Sequence, residues 1–392
     1  MARILMAWEL GAGYGHLAPL LTLARPLRQA GHHVAFVVRD VAAAEAVLGG
    51  NGMPYYPAPA NFQPRGGVLH SYPQILLSTA FNAEDELRAR VRAWQSLYTV
   101  LAPDLLVADH APTALLAARG RDLPCIVTGN GFVILPDVAP LPDLRPWQPV
   151  DAKLLQAAEH KALAMANGVA GSLGLPKLEY LAQLLSSAAP ALFTLKELDS
   201  YADLRRGAEY WGPLPGPGGA APRWPEGPGK RIFLYGQPFP TLPELLRALA
   251  TGPHRTLAYV PRLAPELKQL AGPYLNFADT LQDMAAVTRD CDCAVMTNGH
   301  GTAAAMLLAG KPVVVLPRHL EMMLIAHSVE RAGMGLAAPA LKRDGILNKI
   351  ERVLGEAGFA EKARTLAAQY AGGASLKPVQ NFQALVTRLA GG

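Results

Sequence analysis

The chain has little cysteine. Among its 392 residues only Cys125, Cys291 and Cys293 carry thiols. An odd number, with two of them two positions apart, builds no disulfide framework. Cys291-Asp292-Cys293 also lacks the ligand spacing of a zinc site, so the three read as small buried thiols. Charge is sparse at 17%, a level that suits a compact, enzyme-like protein better than a disordered one. No block of Lys and Arg interleaves with aromatics, which make up 7% of the chain, and this argues against a nucleic-acid groove. No apolar run reaches membrane-spanning length. The amino terminus passes straight into a strand pattern with no signal-peptide profile, so the expected location is cytoplasmic. A chain without a span can still touch a membrane surface, and a lipid substrate would bring it there.

Apolar residues are abundant, at 51%, and the length predicts two or three domains, each able to bury a full core. The net charge of +5 suits an anionic small ligand. Strand and helix patterns alternate from the start. Arg3–Trp8, Val34–Val38, Leu105–Ala108 and Ile126–Thr128 read as strands. Leu17–Ala30, Val41–Leu48, Glu84–Leu101 and Thr113–Arg119 read as helices. Pro54–Ala80 and Pro136–Val150 read as loops. Between Gly212 and Gly229, six Gly and six Pro fall in eighteen positions, which neither a helix nor a central strand tolerates. The α/β rhythm then restarts. Strands are expected at Ile232–Tyr235 (ending at Gly236), Thr256–Val260, Ala294–Thr297 and Val313–Leu316. Helices are expected at Glu244–Ala250, Thr302–Leu308 and Met322–Ala332. Alternation of this kind implies parallel sheets covered on both faces. The expected fold is α/β, with two Rossmann-like doubly wound domains facing a cleft.

Three turns at strand ends carry candidate chemistry, because open α/β sheets bind ligands beyond the carboxyl ends of their strands. The first is Gly11-Ala12-Gly13-Tyr14-Gly15-His16-Leu17-Ala18-Pro19. Its glycines allow close backbone approach, and His16 reads either as a proton acceptor or as a plain helix-start residue. A dinucleotide fingerprint would want a third glycine where His16 stands, with Asp40 as the ribose-binding acid. The second is Asp109, just after a buried strand. It can orient His16 through a ring nitrogen, or cap the helix that follows. His110 competes with His16 as a base and ranks below it. The third is Thr297-Asn298-Gly299-His300-Gly301-Thr302, a strand-to-helix turn of the kind that attracts phosphate. Beyond the next strand, Glu321 can accept from sugar hydroxyls, and Arg318 and His319 meet an anion or face solvent.

Taken in order, Gly15-His16-x-x-Pro19, Val107-Ala108-Asp109, Gly299-His300-Gly301-Thr302 and Ala309-Gly310-Lys311-Pro312-Val313-Val314-Val315-Leu316-Pro317 leading into Glu321 resemble a known family. The chain is similar, over nearly its whole length, to GT-B-fold glycosyltransferases of the family 1 UDP-glycosyltransferase and macrolide-glycosyltransferase group. The resemblance implies His16 as general base toward an acceptor hydroxyl, Asp109 as its orienting carboxylate, and Gly13 and Gly15 in the glycine turn. It implies donor binding by Gly236, Thr297, Asn298, Gly299, His300, Gly301, Thr302 and Glu321. It implies an inverting displacement on a nucleotide sugar, with a UDP- or dTDP-sugar as co-substrate, a small-molecule or lipid acceptor, and no metal or other cofactor. The expected organisation is an acceptor domain over 1–211, a linker over 212–229, a donor domain over 230–370, and a terminal helix within 371–392 that returns to the first domain.

The chain also departs from the family. Thr297 stands where a histidine is usual and Asn298 where glycine is usual. Met322 replaces a glutamine, and Ile325 a frequent asparagine. An unusual donor, an accessory-dependent enzyme and a non-catalytic binding relative all fit these changes. A nucleotide-sugar epimerase of the same fold and a nicotinamide oxidoreductase are the enzyme alternatives.

Overall fold

The computed structural model describes residues 1–11, 14–60, 67–216, 218–371 and 376–391. The chain divides into two compact units. The first comprises Met1–Phe193, Tyr201–Glu209 and Pro378–Gly392, and the second Thr194–Ser200 and Tyr210–Lys377.

The first unit is built on six parallel strands: β1 (Arg3–Trp8), β2 (His33–Val38), β3 (Tyr55–Pro57), β4 (Leu105–Asp109), β5 (Cys125–Gly129) and β6 (Ala189–Leu192). Their order across the sheet is β3-β2-β1-β4-β5-β6. The chain direction of travel thus reverses between β1 and β4, the switch point of a doubly wound sheet. Those two strands pair from Ile4 with Leu105 to Trp8 with Asp109, so they end level with one another. Every residue of β4 is buried, as expected of a strand covered on both faces. Asp40 caps the helix Val41–Leu48 by accepting from the Ala43 N–H at 2.9 Å. That capping bond assigns Asp40 a local role in place of the ribose-binding one. The terminal helix Pro378–Ala390 lies in this unit. It packs on the helix Tyr14–Gln29 and on β4, and its Phe382 ring sits 6.2 Å from that of Phe193.

The second unit repeats the plan with β7 (Arg231–Tyr235), β8 (Arg255–Tyr259), β9 (Leu275–Phe277), β10 (Cys293–Met296), β11 (Val313–Val315) and β12 (Gly335–Ala337), all parallel. Its order is β12-β11-β10-β7-β8-β9, the same winding, with the switch point between β7 and β10. Apolar clusters cover both faces of this sheet. Cys291 and Cys293 are buried free thiols, and burial pushes Cys291 up to about 12, so neither is a nucleophile at neutral pH. Among its described residues the Gly/Pro stretch is irregular except for one bridge, Ala220 to Gln282.

Two expectations need correction. Pro54–Ala80 is not all loop: it holds the edge strand β3 and the helix Tyr72–Ser78. The short strands β3, β6, β9 and β12 carry too few residues for a period to show, and ladder pairing with a longer neighbour makes them strands. The helix after β10 starts at His300, with Gly299 as its cap at φ +99°, so Thr302 lies inside the first turn and does not cap it. Among the described residues no helix is long and apolar enough to cross a membrane.

Candidate active site

In the first unit the switch point brings His16 and Asp109 together. His16 follows β1 in the first turn of the helix Tyr14–Gln29, and Asp109 ends β4. His16 Nδ1 lies 3.1 Å from Asp109 Oδ1, with side chains 18% and 7% exposed. An ionised carboxylate only accepts, so Nδ1 carries the hydrogen and Nε2 keeps the lone pair. The Trp8 ring stacks on the imidazole at 5.3 Å and 21°. An indole face there favours the cation that proton uptake would create. Asp109 is not a helix cap. The helix Pro112–Ala118 begins after Ala111, which makes no capping bond, and the amides of Thr113 and Ala114 are held by Glu9 instead.

Among the described residues of this turn, Gly11 is the one whose lack of a side chain is most demanding. Its φ is +94°, and a Cβ there would lie 2.2 Å from His16 Nε2. A Cβ there would push the imidazole off its place beside Asp109. Gly11→Ala is therefore expected to lower turnover by about 100-fold, the cost of misplacing a reacting group by roughly 1 Å. Nucleotide binding should be unaffected. Steady-state kinetics beside nucleotide titration checks this, and an unchanged kcat would show that the ring has no need of that space.

His110 sits next to this pair, at φ +47°, buried. Burial, and then the neighbouring His16, pull its pKa down to about 3. So weak a base takes little part in proton uptake at neutral pH. Its ring stacks against Tyr72 at 5.8 Å and meets the edge of Phe132 at 6.0 Å. Its Nε2 and the Tyr72 hydroxyl make no hydrogen bond among the described residues. Gly13 lies outside the described residues. Gly15 is exposed, and a Cβ there would meet nothing within 4 Å.

In the second unit the switch point gathers Gly236, after β7, with the turn that follows β10. Gly236 has φ +153°, and a Cβ on it would fall 1.9 Å from the Thr297 hydroxyl. That hydroxyl accepts from the Gln237 N–H at 2.8 Å and donates to Asn298 Oδ1 at 3.2 Å. Thr297 is thus occupied in tying two strand ends together. Gly299 to Thr302 form the start of the helix His300–Leu308, whose first amides have no partner within the helix. His300 Nε2 pairs with Thr194 Oγ1 at 2.7 Å. Burial lowers the His300 pKa, opposed by the charges of Glu321 and Asp199. Arg318 donates to the Pro238 carbonyl at 2.5 Å and so ties its loop to the one that follows β7. Met322 and Ile325 are buried in the core and serve packing there. Among the described residues no group of three or more His, Cys, Asp or Glu side chains could hold a metal ion.

Sequence reasoning missed Glu9 and the stacking role of Trp8. The available signal was a charged residue set directly between a buried strand and a glycine turn.

No protein-family model matches the chain. Similar solved structures include the calicheamicin glycosyltransferase CalG4, with a TM-score of 0.69 at 19% identity, covering 99% of this chain and 98% of that one. Another is a glycosyltransferase of Streptomyces sp. SF2575, SsfS6, complexed with thymidine diphosphate, with a TM-score of 0.64 at 20% identity and coverage of 98% and 99%. Such likeness establishes the GT-B fold. In sequence, a PGL/p-HBAD biosynthesis glycosyltransferase of Mycobacterium tuberculosis is 27% identical over 398 residues, 93% of this chain and 88% of the relative. The chain is a glycosyltransferase of the GT-B fold. A PGL/p-HBAD biosynthesis rhamnosyltransferase of Mycobacterium bovis is 28% identical over 329 residues, 77% of this chain and 73% of the relative. The resemblance read from the motifs thus holds along most of this glycosyltransferase.

Proposed function

We propose that this glycosyltransferase moves a sugar from a nucleotide-sugar donor to a hydroxyl of a small-molecule or lipid acceptor, with inversion at the anomeric carbon. The observation that carries this reading is the His16–Asp109 pair at the first switch point. His16 Nε2 takes the proton of the acceptor hydroxyl as its oxygen attacks the anomeric carbon. The bond to the diphosphate breaks, and the nucleoside diphosphate leaves with the electron pair. Asp109 keeps the hydrogen on Nδ1 and, with the Trp8 face, stabilises the imidazolium. Attack from the side opposite the leaving group gives inversion in one displacement.

The donor diphosphate sits at the amides that open the helix His300–Leu308, where the macrodipole and unpaired N–H groups favour anions. Glu321 accepts from sugar hydroxyls. With Met322 and Ile325 turned into the core, the site has fewer polar partners for the sugar, which favours a deoxysugar. A rhamnosyltransferase among the relatives and a thymidine diphosphate complex among similar structures agree with a dTDP- or UDP-linked donor. No metal or organic cofactor takes part in this reading. The acceptor is bound by the first unit.

The test is a panel of UDP-, dTDP- and GDP-sugars, read by donor hydrolysis and by thermal stabilisation. A dTDP- or UDP-deoxysugar is expected to stabilise the protein and to be slowly hydrolysed. Silence across all three nucleotides would remove the donor assignment, and conversion of donor without any acceptor would identify an epimerase.

A further inference from the structure

Glu9 is fully buried at the carboxyl end of β1, yet it carries a carboxyl group. Four donors surround it. Trp94 Nε1 donates to Oε1 at 2.5 Å, the Thr113 amide to Oε2 at 2.8 Å and the Ala114 amide to Oε2 at 3.4 Å, and the Thr113 hydroxyl also bonds Oε1. Burial raises its pKa, while every one of these bonds opposes that rise. So complete a set of donors is matched by a carboxylate, which only accepts.

Its position gives the group a use. Between Asp109 and the helix Pro112–Ala118 the chain turns through His110, a non-glycine residue at φ +47°. Left-handed backbone at such a residue persists only where its surroundings over-determine it. The corner is held on one side by the β1–β4 ladder, which ends at Trp8 and Asp109. In its middle the Leu10 N–H donates to the His110 carbonyl at 3.0 Å. On the far side the hold on the helix start is Glu9, whose chain neighbour Trp8 is the residue stacked on His16. The end of β1 therefore touches both members of the pair: Trp8 backs the imidazole, and Glu9 anchors the segment that follows Asp109.

We infer that Glu9 is a positioning residue for transfer, clamping the Asp109–His110 corner so that the Asp109 carboxylate stays aimed at His16 Nδ1. This rests on the reading of His16 as the base. Glu9 itself touches no substrate.

Glu9→Gln keeps shape and volume but turns one accepting oxygen into an amide that faces donors. The test compares wild type, Glu9→Gln, His16→Ala and Asp109→Asn in the full chain. Three quantities are read: kcat and acceptor KM, nucleotide affinity, and the deshielded Nδ1 proton of His16 by NMR, assigned by its loss in His16→Ala. In Glu9→Gln, kcat is expected to fall about 100-fold, with acceptor KM within about 3-fold of wild type. Nucleotide affinity should hold, and the Nδ1 resonance should shift upfield or vanish. Unchanged kcat with the resonance in place would overturn the role. So would a fall in kcat that merely tracks the unfolded fraction while the resonance of the folded protein is unmoved. Should His16→Ala retain full turnover, the base reading fails. Loss of the resonance in Glu9→Gln would still support the clamp on Asp109, because that signal does not depend on turnover.

Discussion

His16→Ala is expected to lower sugar transfer by about 10²- to 10⁴-fold, the range of a well-placed general base, while nucleotide binding stays intact. The separation follows from where the groups lie. His16 and Asp109 belong to the first unit, and the helix His300–Leu308 with its open amides belongs to the second. Asp109→Asn should approach the same loss by another route. An amide nitrogen facing Nδ1 favours the tautomer with hydrogen on Nε2, which removes the lone pair that accepts the proton. Kinetics of the two variants and of their combination check this. If the pair acts as a unit, the double variant should be little worse than either single one. Full turnover in His16→Ala would take the imidazole out of the mechanism.

Acid sensitivity of the first unit is the second large expected effect. His110 is neutral in the folded protein down to about pH 3, because burial and the neighbouring His16 disfavour its charged form. In the unfolded chain it takes up a proton below its ordinary value of about 6.5. Between those two values the unfolded state binds the extra proton, so stability is present above pH 6.5 and is lost as the pH falls toward 3. The contribution amounts to about 3 kcal/mol by pH 4. His110→Asn removes the titration, and asparagine tolerates left-handed backbone. Denaturant unfolding of both proteins from pH 8 to pH 4 should show a shallower pH slope in the variant. Equal slopes would mean that His110 is charged or solvated in the folded state.

The same residue shows why its neighbour is the better candidate for a base. His16 and His110 are both imidazoles at the end of a parallel strand pair. One is partly open and holds a carboxylate. The other is buried against Tyr72 and Phe132 and holds none at its Nε2. Spacing along the chain does not separate these two environments.

The turn after β10 shows the same division. The exchange of a family histidine for Thr297 is visible in the sequence, and it suggests a lost contact. In the fold, Thr297 has a different occupation: its hydroxyl joins Gln237 to Asn298 across the switch point, under a Gly236 that has no room for a side chain. His300, next in the motif, is paired with Thr194, which lies more than a hundred positions away along the chain. Asp109 reads plausibly as a helix cap until the fold puts Glu9 on the helix amides and Asp109 on His16.

By itself the sequence determined the alternating strands and helices of two α/β halves and the glycine-bearing turns at their strand ends. Those properties are local: hydrophobic period, glycine and proline act within a few residues. Only the tertiary structure decided which carboxylate meets His16, which histidine is silenced by burial, and that Glu9 holds the corner between them. Those outcomes depend on strands β1 and β4 ending level, and on desolvation by residues distant in sequence, neither of which a local pattern contains.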